Sequence, residues 1–293
     1  MRSLKKKLLP YFLMSPTILL LIVVSFFPLL YAIRESMYET KYLQLVNFIF
    51  LDHYREIFST EAGWKAIINS WTHVFGTVLL AMPTGLLIAS LLNREFRLPF
   101  VRTVFRSILI LPYTISWLIA SFLWMWMLNS YYGLITYALR TFLNFTLPDF
   151  TKSGTFAMPV LIQATSWRLY PLATLFILAS LQTIPLELHE AARIDGASSW
   201  KILRYITFPL IKNTVLVVMV LITLETFNMV TMTLTLTGGG PGEATTTLAY
   251  KAFREGFQFW HLGYASALAV VIFIFNIGLS FVYTRLLKTE RYY

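Results

Sequence analysis

The chain has 293 residues, of which 57% are hydrophobic and only 13% charged, and its formal net charge is +10. Soluble domains carry about 25% charged residues, so a surface this poor in charge belongs in a lipid bilayer. There is no cysteine, which excludes disulfides and thiolate metal sites. The four histidines (His53, His73, His189, His261) stand apart without ligand spacing, so neither a metal site nor a catalytic group is expected.

A helix needs about 20 apolar residues to cross the membrane. Six runs qualify: Tyr11–Ile33, Ile67–Leu92, Val104–Leu128, Phe156–Leu181, Val215–Leu236 and Leu262–Leu287. The first follows "RSLKKK", which resembles the basic start of a signal peptide. Its apolar stretch is too long for one and no small-residue cleavage site follows, so it is read as a retained helix. The expectation is an all-α integral membrane protein of six transmembrane helices, one helical domain over 1–293. Its core is taken as about 67–287, its first helix as about 11–33 and its outer loop as about 34–66. "DHYREIFSTEAGWKAI" in that loop reads as an interfacial helix, with Tyr54, Phe58 and Trp64 suited to the headgroup layer.

Basic residues orient the spans. One set of ends holds fifteen of the 24 Lys and Arg: Arg2, Lys5, Lys6, Lys7, Arg94, Arg97, Arg102, Arg106, Arg193, Lys201, Arg204, Lys212, Arg285, Lys288 and Arg291. The opposite loops hold eight, and Arg168 lies within a span. Both termini are therefore expected in the cytoplasm. The positive charge then reports topology and contact with anionic lipid, and a nucleic-acid role is set aside.

Between the fourth and fifth runs lies the polar stretch "LHEAARIDGASSWK", Leu188–Lys201. Thr183 is a plausible cap and Pro185 suits a first turn. Leu186 to Ile194 favours helix, with Glu187 and Glu190 near its positive end, and Gly196 stands where a left-handed residue ends a helix. Ser198 can cap a second helix running through Pro209 into the fifth span. A short cytoplasmic helix of about 10 residues results. Leu188, Ala191 and Ala192 form a small face that can sit deep in a partner's cleft, while Glu187, Glu190 and Arg193 can make charge-assisted bonds at its rim, and Asp195 and Gly196 complete the docking set.

Within the spans, polar groups are costly and mark function. Glu225 is the one acid well inside a span and Arg168 the one deep base; they are expected to pair or to line a wet cavity. Pro171 is expected to break the helix there and free carbonyls toward that cavity. Gln163, Trp167, Tyr170, Phe227 and Asn228 lie nearby and complete a candidate substrate path. On the outer side "TGGGPG", with Gly238, Gly239, Gly240 and Pro241, lacks the G-K-[ST] ending of a phosphate loop. It is read as a tight turn that caps or re-enters the cavity.

Glu190-Ala191-Ala192, Gly196, Ile206 and Phe208-Pro209 resemble in type and spacing the EAA signature of ABC importer permeases, where Leu is more usual at the position of Phe208. "TLTGGGPGEATTTLAYKAFREGF" and "FRSILILPYTISWLIASFLWMWMLNSYYGLI" resemble the sugar-type, maltose-importer members of that family. The resemblance implies a subunit of the prokaryotic plasma membrane that passes a carbohydrate delivered by an extracytoplasmic binding protein. It implies a second related permease, two ATP-binding subunits, and a coupling helix formed by the EAA loop. ATP and Mg would be bound by the partner ATPase, with no cofactor held by this chain, which contains no Walker A sequence. An ion-coupled secondary transporter would ask for symmetric interrupted helices and several buried titratable groups. An intramembrane enzyme would ask for a nucleophile–base pair or H-E-x-x-H. Neither pattern is present in the sequence.

Overall fold

A computed structural model describes residues 13–41, 44–93, 99–146, 149 and 153–288. The start of the first expected span and the basic residues Arg2, Lys5, Lys6, Lys7, Arg94, Arg97, Lys152 and Arg291 lie outside them. The chain forms two compact units, one comprising the chain up to Trp64 together with Lys251–Ile274, the other Lys65–Tyr250 together with the chain from Phe275 onward.

In the first unit, α1 (Leu13–Glu35) is long and apolar enough to cross a membrane. Leu19, Val24 and Phe27 are all more than half exposed, as suits a lipid-facing helix. One wide π turn, Ile22–Phe26, leads into Pro28. A proline donates no amide hydrogen to the turn before it, and the wider turn absorbs that gap.

The sequence then departs from the all-α expectation. Tyr38–Lys41 (β1) and Gln44–Phe48 (β2) pair antiparallel, with a register shift between Glu39 and Thr40. Two short segments joined by two residues satisfy their own backbone groups this way, and Tyr38 packs edge-on against Phe48 at 5.2 Å. The expected interfacial helix is two pieces, α2 (Asp52–Ser59) and the start of α3 (Glu61–Leu92), divided at the extended Thr60. Hydrogen bonds hold the hairpin in place: Ser36 Oγ to Tyr54 Oη at 2.7 Å, and His53 Nε2 to the Tyr38 carbonyl oxygen at 3.2 Å.

The second unit is built on α3, α4 (Pro99–Thr114), α5 (Trp117–Met127), α6 (Leu134–Leu143), α7 (Gly154–Leu181), α8 (Leu186–Ile194) and α9 (Ser199–Phe227). After these come α10 (Leu248–Phe253) and α11 (Leu262–Lys288), and both carry residues of each unit. Lipid tails are as apolar as leucine, so helices in a bilayer associate through close packing rather than through exclusion of water. The main cluster shows this, with Ala81 and Ala89 of α3, Leu169 and Ala173 of α7, and Val218 and Ile222 of α9 buried together. Ala81, Gly85 and Ala89 recur every fourth residue on α3, and a Cβ on Gly85 would stand 2.5 Å from the Ala173 Cβ. A polar seam is also buried here: His73 Nε2 lies 3.0 Å from Thr165 Oγ1, and Ser166 Oγ donates to the Ile162 carbonyl.

Two expected spans change shape. Val104–Leu128 is not straight: α4 and α5 meet at a bend of 102°. Pro112 and the extended Ser116 lie at that break, and Ser116 Oγ accepts from the Ile119 amide as a helix cap. Conversely α7 continues as helix through Pro159 and Pro171, so Pro171 does not break it. The fifth span starts earlier and ends earlier than Val215–Leu236. α9 begins at Ser199, passes a π turn at Leu203–Thr207 just before Pro209, and stops at Phe227. Four single helices are long and apolar enough to cross a membrane, or six with each bent pair counted as one span.

Gly85→Leu forces an added side chain into the α3–α7 contact. Thermal unfolding in detergent should show a loss of about 1–3 kcal/mol, the usual cost of overpacking, while Gly278→Leu, with open space around it, should leave the midpoint unchanged.

Candidate functional site

The break between α4 and α5 builds a cavity. A helix that stops inside an apolar medium leaves carbonyls without partners. Here Arg168 of α7 supplies one: its Nε donates to the Ile115 carbonyl at 2.9 Å. The guanidinium lies over the Trp117 ring at 3.9 Å and near the Tyr113 ring at 5.2 Å. Cation–π contact of this kind is worth about 2 kcal/mol when desolvated. The two rings fix the plane of the guanidinium and leave its terminal nitrogens without a hydrogen-bond partner among the described residues.

Arg168 and Glu225 line one cavity of about 320 Å³ with Tyr113, Trp117, Asn228, Met229, Val230 and Thr231. The opposite charges attract one another, but no direct ion pair joins them among the described residues. Asn228 enters because α9 ends there: its amide closes the last turn on the Leu224 carbonyl at 3.2 Å, and its Nδ2 donates to the same oxygen at 2.8 Å. The structure thus brings Arg168, Glu225 and Asn228 together. It places the other expected path residues elsewhere. Trp167 packs edge-on against Trp124 at 6.0 Å. Phe227 is buried against Trp71 at 5.3 Å, and Tyr170 packs against the main apolar cluster. Gln163 is exposed away from the cavity lining. Tyr113 and Trp117 were missed, since only the helix break carries them to Arg168, and "PYTISW" contains no helix-ending glycine to announce it.

The outer loop is pinned by hydrogen bonds. After the π turn Thr233–Thr237, Gly238 and Gly239 take φ of +60° and +78°. A side chain at Gly239 would also collide with Tyr250 and with Thr246 Oγ1. The Gly238 carbonyl accepts from Tyr250 Oη at 3.0 Å, and the Gly239 carbonyl from Thr246 Oγ1 at 3.1 Å. Thr245 Oγ1 stands 3.1 Å from the Gly240 carbonyl, just before Pro241. From α3, Lys65 Nζ donates to the Gly242 carbonyl at 2.7 Å, and Asn69 Nδ2 lies 2.9 Å and 3.1 Å from the carbonyls of Glu243 and Thr246.

The polar stretch between α7 and α9 forms α8, bent 74° from α7. Pro185 is its cap residue, whereas Thr183 turns its hydroxyl back to the Ser180 carbonyl. The helix closes with paired bonds from the Ala197 amide to the Ala192 carbonyl, 2.9 Å, and from the Gly196 amide to the Arg193 carbonyl, 3.1 Å. Gly196 takes φ of +75°, past the capping Asp195. Ser198 then caps the start of α9. His189 Nε2 lies 3.2 Å from Thr207 Oγ1, which ties α8 to the π turn of α9. The small face is divided: Ala192 is buried within the chain, while Leu188, Glu190, Ala191 and Arg193 are exposed. Leu186, Ile194 and Trp200 add exposed apolar surface.

The short helix α8, the pinned glycine loop and the polar cavity at a broken helix are features of a chain with known relatives. Residues 67–292 match the family described as binding-protein-dependent transport system inner membrane component. The chain belongs to that family. An sn-glycerol-3-phosphate transport system permease protein UgpA of Brucella suis is 34% identical across 98% of this chain and 97% of its own length. A trehalose/maltose transport system permease protein MalF of Thermococcus litoralis is 28% identical across 97% and 95%. In fold, the chain is similar to a chain of a bacterial ABC transporter involved in import of the acidic polysaccharide alginate, with a TM-score of 0.80, 23% identity and 99% of each chain covered. These relatives are transport permeases rather than enzymes, and the chain is a permease component of the inner membrane.

Asn69→Ala removes the donor shared by two loop carbonyls. Amide hydrogen exchange across 238–247 should quicken by about tenfold, the equivalent of a lost hydrogen bond of about 1.5 kcal/mol, with exchange in α7 unchanged.

Proposed function

We propose that this chain is the permease subunit of an ATP-driven importer for a carbohydrate or related polyol. The observation that carries the reading is α8: a helix turned away from its span, ended by a left-handed glycine and exposing small and apolar residues. With family membership, it fits a coupling helix that docks through Leu188, Glu190, Ala191, Arg193 and Asp195 onto a separate ATP-binding subunit. Ala192 packs inward and holds the helix to the chain, and Gly196 sets the turn into α9. Counting α4 with α5 as one broken span, and α7 with the α8 into which it bends as another, gives six crossings in a single permease domain over 1–293, with both termini and α8 on the cytoplasmic side. The outer loop then faces outward, where an extracytoplasmic binding protein delivers the solute. A second related permease would complete the path, and two ATP-binding subunits would hold ATP and Mg.

The cavity at the break supplies the substrate contacts. Arg168 keeps terminal N–H donors for solute oxygens, Glu225 accepts from hydroxyls, Asn228 can do either, and Trp117 and Tyr113 offer ring faces. The solutes in the names of relatives are of this type: sn-glycerol-3-phosphate, trehalose and maltose, and sulfoquinovosyl glycerol.

Gly196→Val places a β-branched residue in the left-handed region, a strain of about 1–2 kcal/mol. ATP-driven uptake into membrane vesicles should fall at least about tenfold, with the subunits still copurifying. Uptake at the wild-type rate would remove α8 from the coupling role. Arg168→Ala and Glu225→Ala should each raise the KM for transported solute by about tenfold, the loss of one charge-assisted hydrogen bond. Loss of copurifying partners in place of a KM change would assign the two residues to packing.

A further inference from the structure

The first unit contains a larger cavity that the transport reading does not use. It holds about 820 Å³ and is lined by Glu39, Thr40, Lys41, Val46, Asn47 and His53, with Glu56, Lys251, Glu255, Phe259, His261 and Tyr264 completing the wall. It shares no lining residue with the cavity at Arg168. Its size falls within the range of about 300–1,000 Å³ typical of small-molecule sites.

Several of its polar groups are already engaged in holding the wall. Thr40 Oγ1 accepts from the Gly263 amide at 2.8 Å, and His53 Nε2 meets the Tyr38 carbonyl. Asn47 Nδ2 donates to Glu39 Oε2 at 3.0 Å, and His261 Nδ1 stands 3.0 Å from Glu255 Oε2. Lys251 is different. It is only 5% exposed, yet its ammonium, 5.7 Å from the Tyr264 ring centroid, has neither hydrogen bond nor ion pair among the described residues. Its stem is buried and its ammonium opens on the cavity, where it stands ready to donate to an acceptor that enters. The side chains of Lys41 and Glu56 on the same wall are likewise without partners among the described residues.

The mixture of charges selects the occupant. A small inorganic anion would face three carboxylates, and a simple cation two lysines. An apolar molecule would leave Lys251 unsatisfied. A hydroxyl group donates to a carboxylate and accepts from an ammonium at once, and rings such as Phe259 provide the apolar surface that the C–H faces of a sugar require. We infer that this cavity binds a neutral saccharide, of disaccharide size, through hydroxyl groups that accept from Lys251 and donate to Glu56 and the free oxygens of Glu39 and Glu255. It is a second solute site on the chain, additional to the path at Arg168.

The test uses the purified full chain in lipid nanodiscs, without ATP, partner subunits or binding protein, so failure of the coupling role of α8 has no bearing on it. Lysine-directed acylation, read residue by residue by mass spectrometry, is run with and without millimolar maltose, trehalose, cellobiose or glycerol. At least one disaccharide should slow modification of Lys251, with glycerol giving no protection at equal concentration and Lys201 modified at the same rate throughout. Saturation-transfer NMR should show the protecting disaccharide bound, about tenfold more weakly to Lys251→Met, as expected for loss of a charged hydrogen bond. Phe259→Ala, at the exposed rim, gives a second reading that does not disturb the buried lysine and should also weaken binding. Failure of every disaccharide to protect Lys251 overturns the proposal, as does binding that Lys251→Met and Phe259→Ala leave unchanged. Protection that appears only when an extracytoplasmic binding protein is added also overturns it, and identifies the cavity as a protein-docking site.

Discussion

A broken backbone inside an apolar medium has to find partners for its own carbonyls, and the fold of the second unit follows from how that is done. The bend between α4 and α5 exposes the Ile115 carbonyl, and Arg168 Nε reaches it from α7. One interaction serves two needs. It satisfies a carbonyl that the helix break leaves without a helical partner, and it holds a charge with a hydrogen bond and two aromatic faces already around it. The terminal N–H groups have no hydrogen-bond partner among the described residues. A lysine could not do this, because its single ammonium has no planar fork to divide between a backbone oxygen and a ligand.

The helices around that break show a consistent economy of size. Ala81, Gly85 and Ala89 let α3 approach α7 closely, and the long α7 passes through two prolines without breaking because neighbouring elements support it. Where a proline follows a helix start, at Pro28 and at Pro209, the preceding turn widens to a π turn instead of bending sharply. The His189–Thr207 contact sits at one such irregularity, between α8 and the π turn of α9.

Glycine is used for two different purposes in the loops. Gly196 supplies a left-handed residue with open space around it, so its role is direction of the chain. Gly239 supplies the same conformation in a crowded place, under Tyr250 and Thr246, so its role is close approach as well. The outer loop is consequently a fixed object, and the bonds from Lys65 and Asn69 hold it to the start of α3.

What the sequence determined by itself was what depends on neighbours along the chain. The long apolar runs, the boundaries of α7 and α11, and the Gly196 end of α8 were legible from local composition and spacing. Tertiary structure alone decided what depends on residues distant in sequence. Arg168 and Glu225 meet Tyr113 and Trp117 only because α4 and α5 are bent apart, and that bend is held from α7, more than fifty residues away. The cavity around Lys251 depends on the same kind of meeting, between segments some two hundred residues apart such as those of Thr40 and Gly263. Local patterns record the preferences of a helix or a turn; which polar group is left without a partner can be known only once the chain has closed around it.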